Sequence, residues 1–221
     1  MRATRFTFKP AALVVLIFAF ACTNTYLSVY RMKLVRVDRN ERGTGRSEVL
    51  SVEGDTATDG LIDVKWLVSN RDMSVSVTNK TDQVVKVIWD EATFVRSDGT
   101  SMRMVHRGVQ SPADVEFSHL PSVLPRGGRI DDSVYPADLI FHAKNIGWVR
   151  SPLVTEESSK TPAEAMRLGN MRRGESIQVF LLIEVNGKPF EYVSVFAVDG
   201  VTVWEKDADG GDEPLSIQPK A

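Results

Sequence analysis

The sequence predicts an all-β chain folded as an antiparallel sandwich or barrel. Three observations predict it. Apolar residues alternate with polar ones through much of the chain. Turn-forming residues punctuate these runs at intervals of about 8–12 residues. Only one stretch carries the start signals of a helix. A period of two sends successive side chains to opposite faces of a strand. One wet face beside one buried face is the habit of antiparallel sheets.

Apolar and polar residues mix from Tyr26 to Val37, which fits a strand. The same region carries Arg31, Lys33, Arg36, Arg39, Arg42 and Arg46 against Asp38 and Glu41. This basic stretch reads as a solvated strand and linker. The competing reading is a juxtamembrane arm on anionic lipid, where each charge is worth about 1 kcal/mol. Residues 43–47 and 54–60 read as loops because Gly, Thr, Ser and Asp cluster there. Ile62, Val64, Trp66 and Val68 then alternate with Asp63, Lys65 and Leu67, and Met73, Val75 and Val77 alternate with Ser74, Ser76 and Thr78. Ser69, Asn70 and Arg71 between these runs suit a hairpin turn. Asn79-Lys80-Thr81-Asp82 is the next turn, since Asn and Asp bond locally to the backbone.

Gln83 to Trp89 and Ala92 to Arg96 follow as strands. Asp98-Gly99 is a hairpin signal leading into Ser101 to Arg107. Residues 111–128, with Pro112, Pro121, Pro125 and Gly127-Gly128, read as a long loop over one end of the sheets. Arg129 to Val134 and Leu139 to His142 are shorter strands. Thr161-Pro162-Ala163-Glu164 has the form of a capping box with Pro at the first helical position, and Gly169 suits the stop. Ile177, Val179, Leu181 and Ile183 on one face, with Phe180 and Leu182 on the other, predict a central strand. Asn186-Gly187 is the favoured type I′ turn, Phe190 to Val198 returns, and Asp199-Gly200 reads as a turn into Val201 to Trp204. Trp66, Trp89 and Trp148 are the candidates for the core.

The chain has 221 residues, of which 43% are hydrophobic and 25% charged, so wholesale disorder and collagen-like repeats are excluded. One cysteine, Cys22, excludes an intrachain disulfide framework and a Cys-rich zinc site. A formal net charge of −2 offers no argument for nucleic-acid binding.

The first 22 residues are the most informative. Arg2, Arg5 and Lys9 precede an uncharged run from Ala11 to Ala21, and Cys22 follows directly. A basic start, a short apolar core and small residues at its end form the pattern of a secretory signal peptide. Ala19-Phe20-Ala21-Cys22 resembles the lipobox of bacterial lipoproteins. The resemblance implies cleavage after Ala21, diacylation of the Cys22 thiol and acylation of the new amino terminus. It departs from the commonest lipobox in having Ala19 where Leu is usual and the bulky Phe20 after it. Two alternatives stay open. Apolar character extending through Tyr26, Leu27, Val29 and Tyr30 would give an uncleaved span of about 20 residues, enough to cross a bilayer. A cut nearby would instead free a soluble periplasmic protein. Thr23 rather than Asp follows the cysteine, which by the same resemblance implies the outer membrane, with an inner-membrane anchor as the alternative. Removing the leader takes three of the 27 basic residues and none of the 29 acids, so the chain from Cys22 onward carries −5.

The middle of the chain resembles the immunoglobulin-like domains of bacterial envelope lipoproteins. The residues that carry this are Ser74 to Trp89, the Asp98-Gly99 hairpin and Val123 to Val134, within a stretch from Leu61 to Val149. The resemblance implies an immunoglobulin-like antiparallel β-sandwich and no activity. The domain division expected is a signal peptide at 1–21, a lipidated arm and linker at 22–60, the sandwich at 61–205 and an acidic mobile tail at 206–221.

Catalytic motifs are missing from the sequence. His106, His119 and His142 lack the i, i+4 spacing of a helical zinc site, and no metal or cofactor is expected. Asp90-Glu91 and Asp131-Asp132 are adjacent carboxylates, which a strand turns to opposite faces, so neither makes an acid/base dyad by itself. Calcium would need further oxygens, such as Asp138. No nucleophile elbow, phosphate loop or dinucleotide fingerprint occurs. Residues 144–148 form a candidate aromatic loop, with Trp148 packing inward as the plainer outcome. The expectation is therefore a non-enzymatic, lipid-anchored binding or scaffolding module. Its partners would be the bilayer, through acylated Cys22, and an envelope protein, with no nucleic acid. The alternatives are an envelope hydrolase built from scattered residues such as His106, His119 and Asp131-Asp132, and a pilotin-like assembly lipoprotein.

Overall fold

The two longest strands come from opposite ends of the chain. β1 (Thr25–Glu41) and β15 (Lys188–Lys206) run antiparallel from Thr25 opposite Lys206 to Glu41 opposite Phe190. The structure, a computed structural model, describes residues 24–107, 119–144, 147–206 and 212–214, with only the backbone of 147, 148 and 212–214.

Around this pair the protein is an all-β sandwich, with one short helix and no closed barrel among the described residues. One layer runs from β13 (Ser158–Ser159) through β1, β15 and β14 (Ser176–Val185) to β7 (Val85–Val95). β2 (Arg46–Val49), β9 (Ser122–Leu124) and β16 (Asp212–Pro214) attach to β1, β7 and β15 respectively. The second layer holds β3 (Ser51–Glu53), β4 (Thr56–Thr58), β5 (Ile62–Val68), β6 (Met73–Asn79) and β10 (Arg129–Pro136). β8 (Ser101–His106) belongs to both layers. Its first half pairs with β7, and its second half, from Met104 to His106, pairs with Pro136 to Val134 of β10. A separate hairpin, β11 (Ile140–Ala143) with β12 (Gly147–Arg150), follows a single 3-10 turn at Ala137–Leu139.

The alternation read from the sequence becomes the core. Ile62, Val64 and Trp66 of β5, Met73, Val75 and Val77 of β6, and Ile177, Val179, Leu181 and Ile183 of β14 are all buried. β14 lies between β15 and β7, so it is a central strand, as its two apolar faces predict. Trp66 and Trp89 are each 1% exposed. The side chain of Trp148 lies outside the described residues.

Four expectations are corrected. First, the expected arm and linker is not one from Thr25 onward: the sandwich takes in the chain from there. Tyr30, Met32, Leu34 and Val37 of β1 are buried. The irregularity between Leu34 and Arg36 is a bulge that leaves Val35 exposed and resets which residues face inward. That reset hid the strand's period. Second, Asp199-Gly200 is not a turn. β15 continues through it, with Met32 opposite Val198 and Arg31 opposite Gly200, so Asp199 is the extra residue of a bulge. The buried set changes phase there too, from Tyr192, Phe196 and Val198 to Val203. Third, the loop expected at 54–60 contains β4. Fourth, the expected tail is partly paired: the backbone of Asp212–Pro214 lies beside Trp204 to Lys206. Residues 207–211 and 215–221 lie outside the described residues, as do the signal peptide, residues 108–110 and residues 111–118 of the expected long loop.

The helix α1 (Pro162–Asn170) starts as its sequence predicts, with the Thr161 hydroxyl accepting from Glu164 N at 3.3 Å. The reciprocal half of the capping box does not form. The Glu164 carboxylate instead accepts from Arg167 at 2.8 Å, and Thr161 N donates to Ser159 Oγ. Gly169 is inside the helix rather than its stop. A Cβ there would lie 2.6 Å from Val201 Cγ1 and 2.8 Å from Ser28 Cβ, so glycine lets α1 settle onto β1 and β15. The Leu61–Val149 stretch that carries the immunoglobulin-like resemblance divides its strands between both layers, and its β7 takes β14 from outside the stretch as a neighbour.

Candidate functional site

The histidines and carboxylates expected to be scattered are partly brought together. His106 ends β8, where the alternation with Met102 and Met104 puts it. Asp132 lies on β10, two residues before the partner of His106, Val134. The Asp132 carboxylate bridges to β8. Its Oδ2 is 3.0 Å from His106 Nδ1, and its Oδ1 accepts from Arg107 N at 3.0 Å. Trp89 of β7 stacks on the His106 ring, with centroids 4.8 Å apart and planes 11° from parallel. The Trp89 indole donates to Ser122 Oγ at 2.8 Å, which fixes the ring that covers His106.

His119 meets His106 edge to face at 5.4 Å. Its backbone N–H donates to Asp90 Oδ1 at 2.7 Å, an oxygen that also accepts from Arg103 at 2.8 Å. The His119 ring is buried, and neither ring nitrogen has a hydrogen-bond partner among the described residues. Burial, with Arg103 and His106 nearby, pushes its pKa below the ordinary value, and Asp90 opposes this only in part.

A carboxylate on a histidine Nδ1 is the arrangement that orients an imidazole for proton transfer. Two further features belong to this cluster. One face of His106 is covered by Trp89, and the buried His119 ring has no hydrogen-bond partner among the described residues. The pairing of Asp132 with His106 was not legible in the sequence, because their contact depends on β8 crossing from one layer to the other. The one available signal was the strand alternation that turns Asp131 and Asp132 apart. Asp131 indeed faces outward, where hydrogen bonds from Arg129 and Ser76 hold its carboxyl below the usual range.

The other candidates stay apart. Glu91 pairs with Arg42, and His142 is exposed on the β11–β12 hairpin. Among the described residues no three His, Cys, Asp or Glu side chains converge on a metal position. Cys22, Ala21, Ala19 and Phe20 lie outside the described residues. The basic stretch after them is largely paired within the fold. Arg31 bonds Asp199, Arg36 bonds Asp38, Arg39 bonds Asp59 and Glu48, and Arg42 bonds Glu91. Among the described residues no helix is long and apolar enough to cross a membrane. In the comparisons with known proteins no family model, no curated protein and no solved structure matches the chain.

Proposed function

We propose that this chain is a lipid-anchored protein of the bacterial envelope, tethered by acylated Cys22 and facing the periplasm from the outer membrane. Its β-sandwich serves as a non-enzymatic binding or scaffolding module. The observation that carries this reading is the spacing between anchor and fold. β1 begins at Thr25, three residues after Cys22. Three extended residues reach about 10 Å, so an acylated Cys22 would hold the start of β1 next to the headgroups. Two or three acyl chains, at about 0.8 kcal/mol per buried methylene, suffice for stable anchoring. With its only cysteine committed to lipid, the domain relies on its β core rather than disulfides in an oxidising compartment.

Metabolic labelling with palmitate is expected to mark the wild-type protein and not Cys22→Ser, and only the wild type should fractionate with membranes. Equal labelling of the two would remove the anchor. Cross-linked envelopes should yield the same partner in repeated captures, and repeated recovery of none would count against the binding role.

One observation favours the second reading, an envelope hydrolase: His106, His119 and Asp132 do converge. That reading requires an ester, amide or phosphoester substrate whose turnover is lost in both His106→Gln and Asp132→Asn while the fold is retained.

A further inference from the structure

Three cationic side chains, Lys65, Arg107 and Arg129, line one concavity on the outer face of the second layer. Outward residues of β5, β6 and β10 align in rows, with Lys65 opposite Ser76 opposite Asp131, and Leu67 opposite Ser74 opposite Ser133. A concavity of about 190 Å³ opens over these rows, and Arg107 and Arg129 reach its lining. By the volume of liquid water this holds about six molecules, room for a compact polyatomic ion. Among the described residues the side chains of Lys65 and Arg107 make no hydrogen bond or ion pair.

The acids of the pocket are already committed. Asp132 also reaches the lining, but its two oxygens are held by His106 Nδ1 and Arg107 N. The Arg107 backbone is thus fixed while its guanidinium has no partner among the described residues. Asp131 takes Arg129 Nε at 2.9 Å and the Ser76 hydroxyl. One outward acid therefore faces three cations, in a chain whose balance from Cys22 onward is −5. Ser74 and Ser76 add hydroxyls that can donate to an anion. Beside the pocket lies a wider cleft of about 330 Å³ that shares Leu67 and Ser74 with it and reaches Met32 and Val68. Leu67 is mostly exposed and forms the apolar saddle between the two.

We propose that this pocket binds the oxyanion of a phosphate-bearing small molecule. Lys65, Arg107 and Arg129 would hold the phosphate by charge-assisted hydrogen bonds, and the organic body would lie across Leu67 into the cleft. The proposal deepens the binding-module reading and rests on it, but it does not depend on the lipid anchor. A soluble phosphomonoester and a phospholipid headgroup share this chemistry.

The test is titration calorimetry on the full chain in neutral detergent micelles, with chloride at matched ionic strength as the blank. The probes are inorganic phosphate, phenyl phosphate and glycerophosphoglycerol, the deacylated headgroup of phosphatidylglycerol. Saturable binding of phenyl phosphate identifies a soluble monoester, and saturable binding of the glycerophosphoglycerol alone identifies a headgroup. Lys65→Gln and Arg107→Gln should each weaken the probe that binds by about fivefold or more, the effect of losing roughly 1 kcal/mol of charged contact. Leu67→Ala should weaken phenyl phosphate and spare inorganic phosphate. Asp131→Asn should tighten binding by removing the one opposing charge, a gain that a misfolded variant cannot mimic. No saturable binding of any probe, or wild-type affinity in the Lys65→Gln, Arg107→Gln double variant, overturns the proposal. Neither result touches acylation or partner capture, which stand or fall separately.

Discussion

Trp66 and Ser194 join the two layers of the sandwich through its core. The indole Nε1 of Trp66, on β5, donates to Ser194 Oγ, on β15, at 2.9 Å, and both residues are buried. Phe196, two residues along β15, meets the Trp66 ring edge to face with centroids 5.5 Å apart. At this point a core without disulfides is tied across its layers by a polar bond and an aromatic contact. Ser194→Ala leaves a buried indole N–H without a partner and should cost about 1–3 kcal/mol. Urea unfolding measures this, and a loss below about 0.5 kcal/mol would mean that the bond is replaced by water.

Asp59 gathers three parts of the fold. Its carboxylate accepts from Leu61 N at 2.7 Å, Ile62 N at 2.8 Å, Arg39 of β1 at 2.7 Å and the Tyr192 hydroxyl of β15 at 2.8 Å. The Asp59 side chain is 3% exposed, while Arg39 is 21% exposed and also holds Glu48. Asp59→Ala should therefore cost about 3 kcal/mol, the lower end for breaking a buried pair, because Arg39 keeps a second acid. Tyr192→Phe removes one bond of the set and should cost about 1 kcal/mol. Thermal unfolding of the two variants is expected to rank them in that order, and the reverse order would refute the assignment.

His119 should make stability depend on pH. Its folded pKa is pushed below the ordinary 6.5 by burial, by Arg103 and by His106. As pH falls through about 6.5 the unfolded chain binds a proton that the folded chain refuses, so stability is lost toward acid and kept above that value. Since the His119 ring nitrogens have no partners among the described residues, His119→Phe should be close to neutral at pH 8. It should also flatten the stability difference between pH 7.5 and 5.5. An unchanged slope in the variant would assign the acid sensitivity elsewhere.

Two glycines should respond to alanine for different reasons. At Gly169 a methyl group would meet Val201 and Ser28 at 2.6 and 2.8 Å, so α1 must lift from the sheet, at a cost of about 1–3 kcal/mol. At Gly187 nothing lies within 4 Å, but φ is +76°, so the cost is backbone strain of about 1–2 kcal/mol. Helix-region amide exchange should speed up in Gly169→Ala and stay unchanged in Gly187→Ala. Faster helix exchange in both would show that the helix contact is not what glycine provides at 169.

The sequence by itself determined whatever depends on neighbouring residues. The alternation of β5, β6 and β14, the Asn186-Gly187 turn with φ of 49° and 76°, and the Thr161 cap were legible because each arises within a few positions. The sequence could not show that residues 25–41 belong to the sandwich, because the partner of β1 is β15, at the other end of the chain. Nor could it show that Asp199-Gly200, local turn chemistry by every short-range rule, becomes a bulge once Arg31 bonds Asp199 and lies over Gly200. His106, His119 and Asp132 meet only because β8 leaves one layer for the other. The same crossing sets Arg107 beside Lys65 in the pocket. Periodicity is a property of contiguous residues, whereas the pairing of distant strands is settled by long-range packing and hydrogen bonding, and that is where tertiary structure decided the rest.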